Sequence, residues 1–459
     1  MRRRGVTPGW YNRVMASQLT GDTTELLQTL IRNQCVNDGT VDSGQEVRNA
    51  RTLEDYLGGH NVAIEQFESQ PGRGSVVARI EGSDPDAPTL CLMGHTDVVP
   101  VNPAGWSRDP FGGELIDGEV WGRGAIDMLN ITASMAVAFR HLARSGWRPK
   151  GTLVYFGVAD EEAGGHWGAE WMLDHHWDAV GADYVLTEMG GWSSVGADDV
   201  RRVVVNTAEK GIAWRRLRVS GTPAHGSMPF GADNALVKAA EIIRRLADYR
   251  PGAYLGDAWK AQVGAMPIPD DLKAALLDPA RIWSTIETLP PPLARTCHAH
   301  THTTFSPNVA HGGQKTNIIP DTVDIEVDIR TVPGTSQADV DALLHDALGE
   351  LAHHVEISPL QAFDSTESDR SNALWDAVSS ATQVAFPGAQ LLPGLIVGGT
   401  DARFYRSKGA IAYGTGLFSP SVSLESFGTR FHGNDERIDV ESLGLSTDFW
   451  IHIAKEICG

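Results

Sequence analysis

Short apolar runs alternate with helix-period patterns over the first part of the chain. Between residues 22 and 59, two stripes of apolar residues at the helical spacing predict two helices. From there to about residue 186, runs of four to six apolar residues alternate with further helical patterns. This alternation is typical of an α/β domain built around a largely buried sheet.

Four of the apolar runs predict buried strands, and three of them lead into residues with reactive side chains. The runs are 89–93 before His95, 153–158 before Glu161 and Glu162, 184–186 before Glu188, and 411–413 before a glycine turn. In open α/β sheets, ligands bind outside the carboxyl ends of the strands. These polar residues are therefore expected to converge although they are far apart in sequence.

The pattern changes after about residue 203 and returns at a helix predicted over 372–386. Between these points the predicted elements are strands at 215–219, 299–306 and 323–331, a helix at 234–249, and a helix opened by Ser336 as N-cap with Asp339 in its first turn. The sequence thus predicts a central mixed sheet flanked by helices, made by residues 1–206 and 364–459. Residues 207–363 form an inserted α+β domain, in which the proline-containing stretch 251–292 is an elaboration.

Length and charge limit the classes of function. A chain of 459 residues exceeds the usual size of one core, so two domains are expected. The formal net charge of −20 opposes phosphate backbones and anionic lipids, which excludes nucleic acid and membrane surfaces as partners. Basic residues at the N-terminus are not followed by an apolar segment, and the four cysteines form no C-x-x-C pair, so we expect a cytoplasmic protein with reduced thiols.

Each candidate site segment is ambiguous alone. His95 and Asp97 could be a satisfied histidine beside a turn aspartate. The glycines before Asp127 resemble a dinucleotide fingerprint, but Asp127 occupies the third small position and no strand leads into them. Residues 160–162 are three consecutive carboxylates, which are stable on a solvated loop or beside a cation.

Taken together, the candidates supply two imidazoles and three carboxylates: His95, Asp127, Glu162, Glu188 and His432. Nitrogen and oxygen donors in this mixture favour a pair of divalent metal ions, most readily zinc, with cobalt or manganese possible. Two such ions can share a carboxylate and activate one water as a nucleophile.

Five segments of the chain resemble, in order, the motifs of one known family. They are 94–100 (GHTDVVP), 122–128 (GRGAIDM), Glu161-Glu162, Glu188 and 432–436 (HGNDE). The family is the two-zinc group of aminoacylase, glutamate carboxypeptidase, acetylornithine deacetylase and succinyl-diaminopimelate desuccinylase, and the resemblance spans residues 22–459. One departure is Leu129, where many members carry a lysine two residues after the bridging aspartate.

The resemblance implies a role for each matched residue. Asp127 would bridge the metals, with His95 and Glu188 completing one site and Glu162 and His432 the other. Glu161 would be the general base that takes a proton from the bridging water and returns it to the leaving amine.

Further roles follow from the same resemblance. Asp97 would accept the free ring N–H of His95. The inserted domain would be a lid and dimerisation domain whose His225 polarises the scissile carbonyl. Four more residues would bind substrate: Asn317, Arg330, Thr400 and Asp401.

The resulting hypothesis is a metal-dependent hydrolase of the dipeptidase or carboxypeptidase type, acting as a homodimer on a small peptide with a free carboxylate. An N-acyl-amino-acid deacylase or desuccinylase with the same mechanism is the alternative. A non-catalytic metal-binding protein or sensor is the alternative from another class. Separately, His298, His300 and His302 alternate with Ala299 and Thr301 and would share one face of a strand, which is interpreted as a polar face and not as a metal site.

Overall fold

The computed structural model describes residues 9–59, 62–196 and 198–459. The basic N-terminal residues used in the localisation argument lie outside these ranges. Contacts divide the chain into a main unit, Met1–Thr207 with Ser368–Pro393 and Thr400–Gly459, and an inserted unit, Ala208–Glu367 with Gly394–Gly399. No helix in the described ranges has the length and apolar character needed to cross a bilayer.

Strands occur in both units. Those before the insertion are β1 (Ala63–Glu68), β2 (Gly74–Ile80), β3 (Leu90–His95), β4 (Glu114–Ile116), β5 (Glu119–Trp121), β6 (Leu153–Val158), β7 (Tyr184–Thr187), β8 (Gly190–Val195) and β9 (Arg201–Glu209). Those that follow are β10 (Gly211–Ser220), β11 (Ala224–His225), β12 (Thr304–Gly312), β13 (Ile318–Ile319), β14 (Thr322–Thr331), β15 (Val355–Phe363), β16 (Thr366–Glu367), β17 (Gln390–Ile396), β18 (Ile411–Gly414) and β19 (Arg437–Asp439).

Helices also occur in both units. The first are α1 (Gly9–Arg32), α2 (Val47–Leu57), α3 (Leu129–Arg144), α4 (Trp171–His175) and α5 (Trp177–Val180). The next are α6 (Ala235–Asp248), α7 (Asp257–Ala265), α8 (Asp270–Leu276), α9 (Ile282–Ile286), α10 (Pro291–Thr301) and α11 (Gln337–Leu348). The last are α12 (Ala373–Ala385), α13 (Ala402–Ser407), α14 (Leu424–Arg430) and α15 (Val440–Ile457).

A mixed sheet lies at the centre of the main unit, as the sequence predicts. Its strand order runs β1-β2-β6-β3-β7-β18-β9. The four strands β6, β3, β7 and β18 are mutually parallel, whereas β1, β2 and β9 are antiparallel to their neighbours. Helix α2 packs on β2, while α1 packs on α3 and α15 instead of on the sheet. The four predicted runs are thus the parallel core of the sheet, and their carboxyl ends meet at one edge.

The inserted unit is built on an antiparallel sheet in the order β12-β14-β10-β15. Its core is formed by apolar residues of β10 and β14 together with one face of α6 and of α11. Helix α11 begins with the predicted Ser336, which forms a reciprocal capping box with Asp339. The proline-containing stretch forms short helices around a small separate core that includes Trp259, Leu276 and Ile282.

The strand predicted at 299–306 is wrong over its first half. Residues Pro291–Thr301 form helix α10, and strand β12 starts only at Thr304. Prolines at the first helical positions, where no N–H donor is needed, favour this helix start. His298 and His302 are therefore one helical turn apart, with ring centroids 5.3 Å apart, and do not alternate along a strand.

Candidate metal centre

Three of the five proposed ligands are presented by the carboxyl ends of adjacent parallel strands. His95 is the last residue of β3 and pairs in register with Val158, the last residue of β6. A short 3-10 turn, Glu161–Ala163, follows β6, and Glu188 follows β7 directly. The turn is entered through Asp160, whose φ of 71° reverses the chain direction immediately after the strand.

The other two ligands lie in loops that no strand leads into. Asp127 precedes α3, and His432 follows α14 with a φ of 54°. Asp127 and His432 nevertheless meet, because their loops are joined by a buried ion pair between Arg123 and Glu436 at 2.6 Å.

Glu436 also organises the Asp127 loop directly. Its second oxygen accepts hydrogen bonds from the main-chain N–H groups of Ile126 at 2.7 Å and Asp127 at 3.1 Å. Arg123 in turn donates to the carbonyl of Gly433 at 3.1 Å. Sequence reasoning quoted Arg123 and Glu436 within the motifs but gave them no role. The sequence shows only one positive and one negative residue in two distant motifs. Their pairing becomes apparent only once the structure shows that the two loops touch and that both charges are buried.

The five side chains form two groups that share Asp127. One group is His95, Asp127 and Glu188, and the other is Asp127, Glu162 and His432; in each, the donor atoms lie within 4.8 Å of one another. His95 Nε2 is 3.3 Å from Asp127 Oδ1 and 3.8 Å from Glu188 Oε2. His432 Nε2 is 2.9 Å from Asp127 Oδ2 and 3.4 Å from Glu162 Oε2.

The pKa of each residue in the two groups is shifted by burial and by its neighbours. Burial and the charge of Asp127 raise the pKa of Glu162 to about 8 and that of Glu188 to about 7. Burial opposes ionisation of Asp127 too, but hydrogen bonds from His432 and His95 hold its pKa well below the ordinary value. Burial disfavours the imidazolium of His432, yet hydrogen bonds to Asp127 and Glu162 raise its pKa to about 10.

These residues fit two divalent cations. His95 Nδ1 lies 3.0 Å from the main-chain carbonyl of Asp97, which only accepts, so Nδ1 carries the proton and Nε2 points at the carboxylates. In Glu162, the Oε1 atom is buried and has no hydrogen-bond partner. A cation between each imidazole and the neighbouring carboxylates would explain the orientation of His95 Nε2 and would give the buried Glu162 Oε1 a partner. The cation accepts the lone pairs of nitrogen and oxygen atoms that otherwise face one another.

Glu161 stands apart from both ligand groups. It is half-buried, and burial together with the negative charge of Glu188 raises its pKa well above the ordinary value, against the opposing effect of His95. A carboxyl group with a raised pKa can both accept and return a proton near neutral pH.

Asp97 is fully buried beside His95. Its carboxylate Oδ1 is 3.5 Å from His95 Nδ1, longer than the 3.0 Å to its own main-chain carbonyl. The ring N–H of His95 that Asp97 was expected to accept is therefore directed mainly at the main-chain carbonyl of Asp97 and less at its carboxylate.

His225 and Asn317 lie in the inserted unit, where a two-residue strand pairing brings them together. His225 of β11 pairs with Ile318 of β13, and the N–H of Gly226 donates to the Asn317 carbonyl at 2.8 Å. Both side chains are exposed. His225 Nδ1 accepts from the main-chain N–H of Ser227 at 3.2 Å and lies 2.7 Å from its hydroxyl, so the ring proton sits on Nε2, which is left to donate.

The other predicted substrate-binding residues are either already paired or buried. Arg330, in the inserted unit, already forms a two-point ion pair with Asp328, with Nε–Oδ1 at 2.7 Å and Nη2–Oδ2 at 3.3 Å. Thr400 and Asp401, in the main unit, are each only 2% exposed. Neither carboxylate oxygen of Asp401 has a hydrogen-bond partner, and burial raises its pKa to about 8.

Comparison with known proteins gives consistent matches. A model of the peptidase family M20/M25/M40 matches residues 91–456. The "N-fatty-acyl-amino acid synthase/hydrolase PM20D1" of Xenopus tropicalis is 28% identical over 386 residues, 82% of this chain and 74% of that protein. Aminoacylase-1 of Sus scrofa is 27% identical over 393 residues, 84% of each chain. The crystal structure of the M20 family metallo-carboxypeptidase Sso-CP2 from Sulfolobus solfataricus superposes with a TM-score of 0.69 at 18% identity, covering 95% of this chain and 98% of that one.

Proposed function

This chain belongs to peptidase family M20/M25/M40, and from that premise we propose that it is a two-metal hydrolase that cleaves an amide bond of a small substrate bearing a free carboxylate. The observation that supports the proposal most is the pair of ligand groups sharing Asp127. A non-catalytic sensor, the alternative from another class, has no need of Glu161 beside a full ligand set. Zinc is the proposed metal because the donors are imidazole nitrogens and carboxylate oxygens, with cobalt or manganese as substitutes.

When bound, the two ions polarise the scissile carbonyl and lower the pKa of the attacking water. Glu161 accepts a proton from that water as it attacks, and the same carboxyl group then donates the proton to the leaving amine nitrogen. Its raised pKa suits both transfers. Asp97, through its main-chain carbonyl, keeps the proton of His95 on Nδ1 so that Nε2 is free to bind metal.

His225 is the proposed donor to the oxygen that becomes negative during the reaction. The Ser227 main chain holds its proton on Nε2. We expect His225→Gln to lower kcat by about 10²- to 10³-fold, because one donor to the developing oxyanion is misplaced, while metal content stays at the wild-type level. Steady-state kinetics and elemental analysis on the same preparations measure both quantities. An unchanged kcat would show that His225 does not donate to the developing oxyanion.

The proposed substrate class is a dipeptide or other short peptide cut next to a C-terminal residue. In this proposal Arg330 binds the free carboxylate, exchanging its present partner Asp328 for the substrate, and Asn317, Thr400 and Asp401 are further substrate-binding residues. N-acyl amino acids are the second candidate, favoured by the two acyl-amino-acid relatives that align with more than four fifths of this chain.

A substrate panel tests the proposal. Zinc-loaded protein is assayed with dipeptides, N-acetyl and long-chain N-acyl amino acids and N-succinyl compounds, each paired with a C-terminally amidated analogue. We expect hydrolysis of at least one free-carboxylate class and a loss of kcat/KM of about 10²-fold or more on amidation, since a charged group would lose its pairing partner. Equal rates on amidated and free compounds would contradict the carboxylate requirement.

We propose that residues 207–363 act as the lid and dimerisation domain. Strand β12 forms one edge of the inserted sheet, and most of its residues are exposed. Helix α6, which packs beside it, exposes Leu236 at 49% and Val237 at 66%. An unpaired edge strand next to exposed apolar side chains favours association with a second copy. Light scattering on the purified protein measures the mass, and a monomer at micromolar concentration would contradict the proposal.

A cytoplasmic location is proposed from the thiols. All four cysteines are buried and unpaired. Reduced, buried cysteines are usual where the compartment is reducing. Cell fractionation tests this, and recovery only in an exported fraction would contradict it.

A further inference from the structure

A buried polar network surrounds Arg73 in the main unit and reaches Asp97 through Asn37. Arg73 is 3% exposed. Its Nη1 donates to Glu46 Oε1 at 2.6 Å, and its Nη2 donates to Asn37 Oδ1 at 3.0 Å and to the carbonyl of Thr40 at 3.1 Å. Its Nε lies 3.7 Å from Asp160 Oδ1. The guanidinium thus faces two carboxylates, one side-chain amide and one main-chain carbonyl.

The Asn37 side chain connects this guanidinium to Asp97. A guanidinium can only donate, so the amide must turn its oxygen to Arg73. The main-chain N–H of Gly39 also donates to that oxygen, at 3.0 Å. Asn37 Nδ2 is then directed at Asp97 Oδ2, 2.9 Å away. A flipped amide would set two donors against each other at Arg73 and two acceptors against each other at Asp97.

Asp97, which Asn37 holds, in turn contacts one residue of each ligand group. Its Oδ2, besides accepting from Asn37, accepts from the main-chain N–H of Glu162 at 3.1 Å. Its carbonyl accepts from His95 Nδ1. His95 belongs to one ligand group and Glu162 to the other. Asp97 therefore contacts one proposed ligand in each group, Glu162 through its carboxylate and His95 through its main-chain carbonyl.

The same network also holds the entrance to the Glu161–Glu162 turn. The Asp160 N–H donates to Glu46 Oε1 at 3.3 Å, and Asp160 Oδ2 accepts from the N–H of Trp167 at 2.8 Å. Glu46, Asp97 and Asp160 are each no more than 2% exposed. Uncompensated carboxylates this deeply buried would repel one another, so Arg73 is needed where it lies.

We propose that Asn37 and Arg73 are positioning residues that set both metal sites, acting through Asp97, before any metal binds. This rests on the proposed function as a two-metal hydrolase. The physical basis is that outer partners fix the ring orientation and loop geometry of metal ligands, and their loss commonly weakens metal affinity by about 10- to 100-fold.

The decisive variant is Asn37→Asp. It preserves the volume of the side chain and the acceptor for Arg73, but in its ionised form it cannot donate to Asp97. An added negative charge near a cation would by itself strengthen metal binding, whereas loss of positioning weakens it, so the two explanations predict opposite signs. Asn37→Ala removes all the hydrogen bonds of the Asn37 side chain without adding charge, and Arg73→Met removes the guanidinium.

The protein is stripped of metal, its fold is checked by circular dichroism, and zinc affinity is measured by competition with a chromophoric chelator. We expect Asn37→Asp and Asn37→Ala to remain folded and to bind zinc about 10- to 100-fold more weakly than wild type at both sites. The control is Arg215→Met in the inserted unit, a buried arginine (3% exposed) bonded to Asp341 and Gln337. It is expected to lower the melting temperature of the metal-free protein without changing zinc affinity.

The outcomes separate the two proposals. Wild-type protein that binds no zinc would overturn the two-metal function itself. Wild type that binds two zinc ions, with folded Asn37 variants of unchanged or tighter affinity, would overturn the positioning role alone. Since Asn37 is uncharged, its variants test the role even if Arg73→Met does not fold.

Discussion

Glu161→Gln is expected to keep both metal ions and to lose almost all turnover. The amide is close to the carboxylate in size and can still hydrogen-bond, but it cannot take a proton from water or return one to the leaving amine. Removing a general acid–base group of this kind lowers kcat by about 10²- to 10⁴-fold. Because Glu161 belongs to neither ligand group, the zinc content should remain that of the wild type.

Kinetics and elemental analysis of one preparation measure the effect of Glu161→Gln. Glu170→Gln is the matched control: it lies on the same segment, is about two fifths exposed and pairs with His166. It should leave kcat unchanged. A Glu161→Gln enzyme of normal activity would show that another group moves the proton, and a metal-depleted one would show that Glu161 is itself a ligand.

Asp127→Asn is expected to abolish activity by a different route, the loss of both metals. Asp127 offers one oxygen to each ligand group, with His95 facing Oδ1 and His432 facing Oδ2. Replacing the shared charge weakens both sites together, and the transition state loses several kcal/mol of stabilisation, which corresponds to at least about 10³-fold in rate.

Glu162→Gln and Glu188→Gln test ligands that belong to one group each, in contrast to Asp127, which belongs to both. Each should weaken mainly one of the two ions, so titration should show one tight and one weak site. Asp117→Asn, at an exposed turn with a φ of 49°, is the matched control and should bind two ions. Two tightly bound ions in Asp127→Asn would exclude the bridging role.

The parallel strands could be read from the sequence because burial on both faces leaves a continuous apolar run. Strands β3, β6, β7 and β18 coincide with the four predicted runs. Three ligands follow from that reading alone, since side chains released at neighbouring strand ends must meet. Helix α10 was missed because histidines at every second position fit a strand, and the same spacing also places His298 and His302 one helical turn apart.

Asp127 and His432 show where local pattern stops being informative. Neither follows a strand, so the position of the strand ends did not predict them; their residue types made them candidates, and the resemblance to known motifs gave each a role. Their meeting depends on Arg123 and Glu436, which are 313 positions apart in sequence. No periodicity reports such a contact, because it exists only after the sheet and helices have brought the two loops together.

The sequence by itself determined the four parallel core strands, the polar residues that follow three of them, and the chemical types available at the site. These depend on spacing and burial, which neighbouring residues settle among themselves. Only the tertiary structure decided which ring nitrogen of His95 faces the carboxylates, that Arg330 is already paired with Asp328, and that Asn37 joins Arg73 to Asp97. Each of these is a directional hydrogen bond or ion pair between groups with several possible partners, and the choice among partners is made by the geometry of the folded chain.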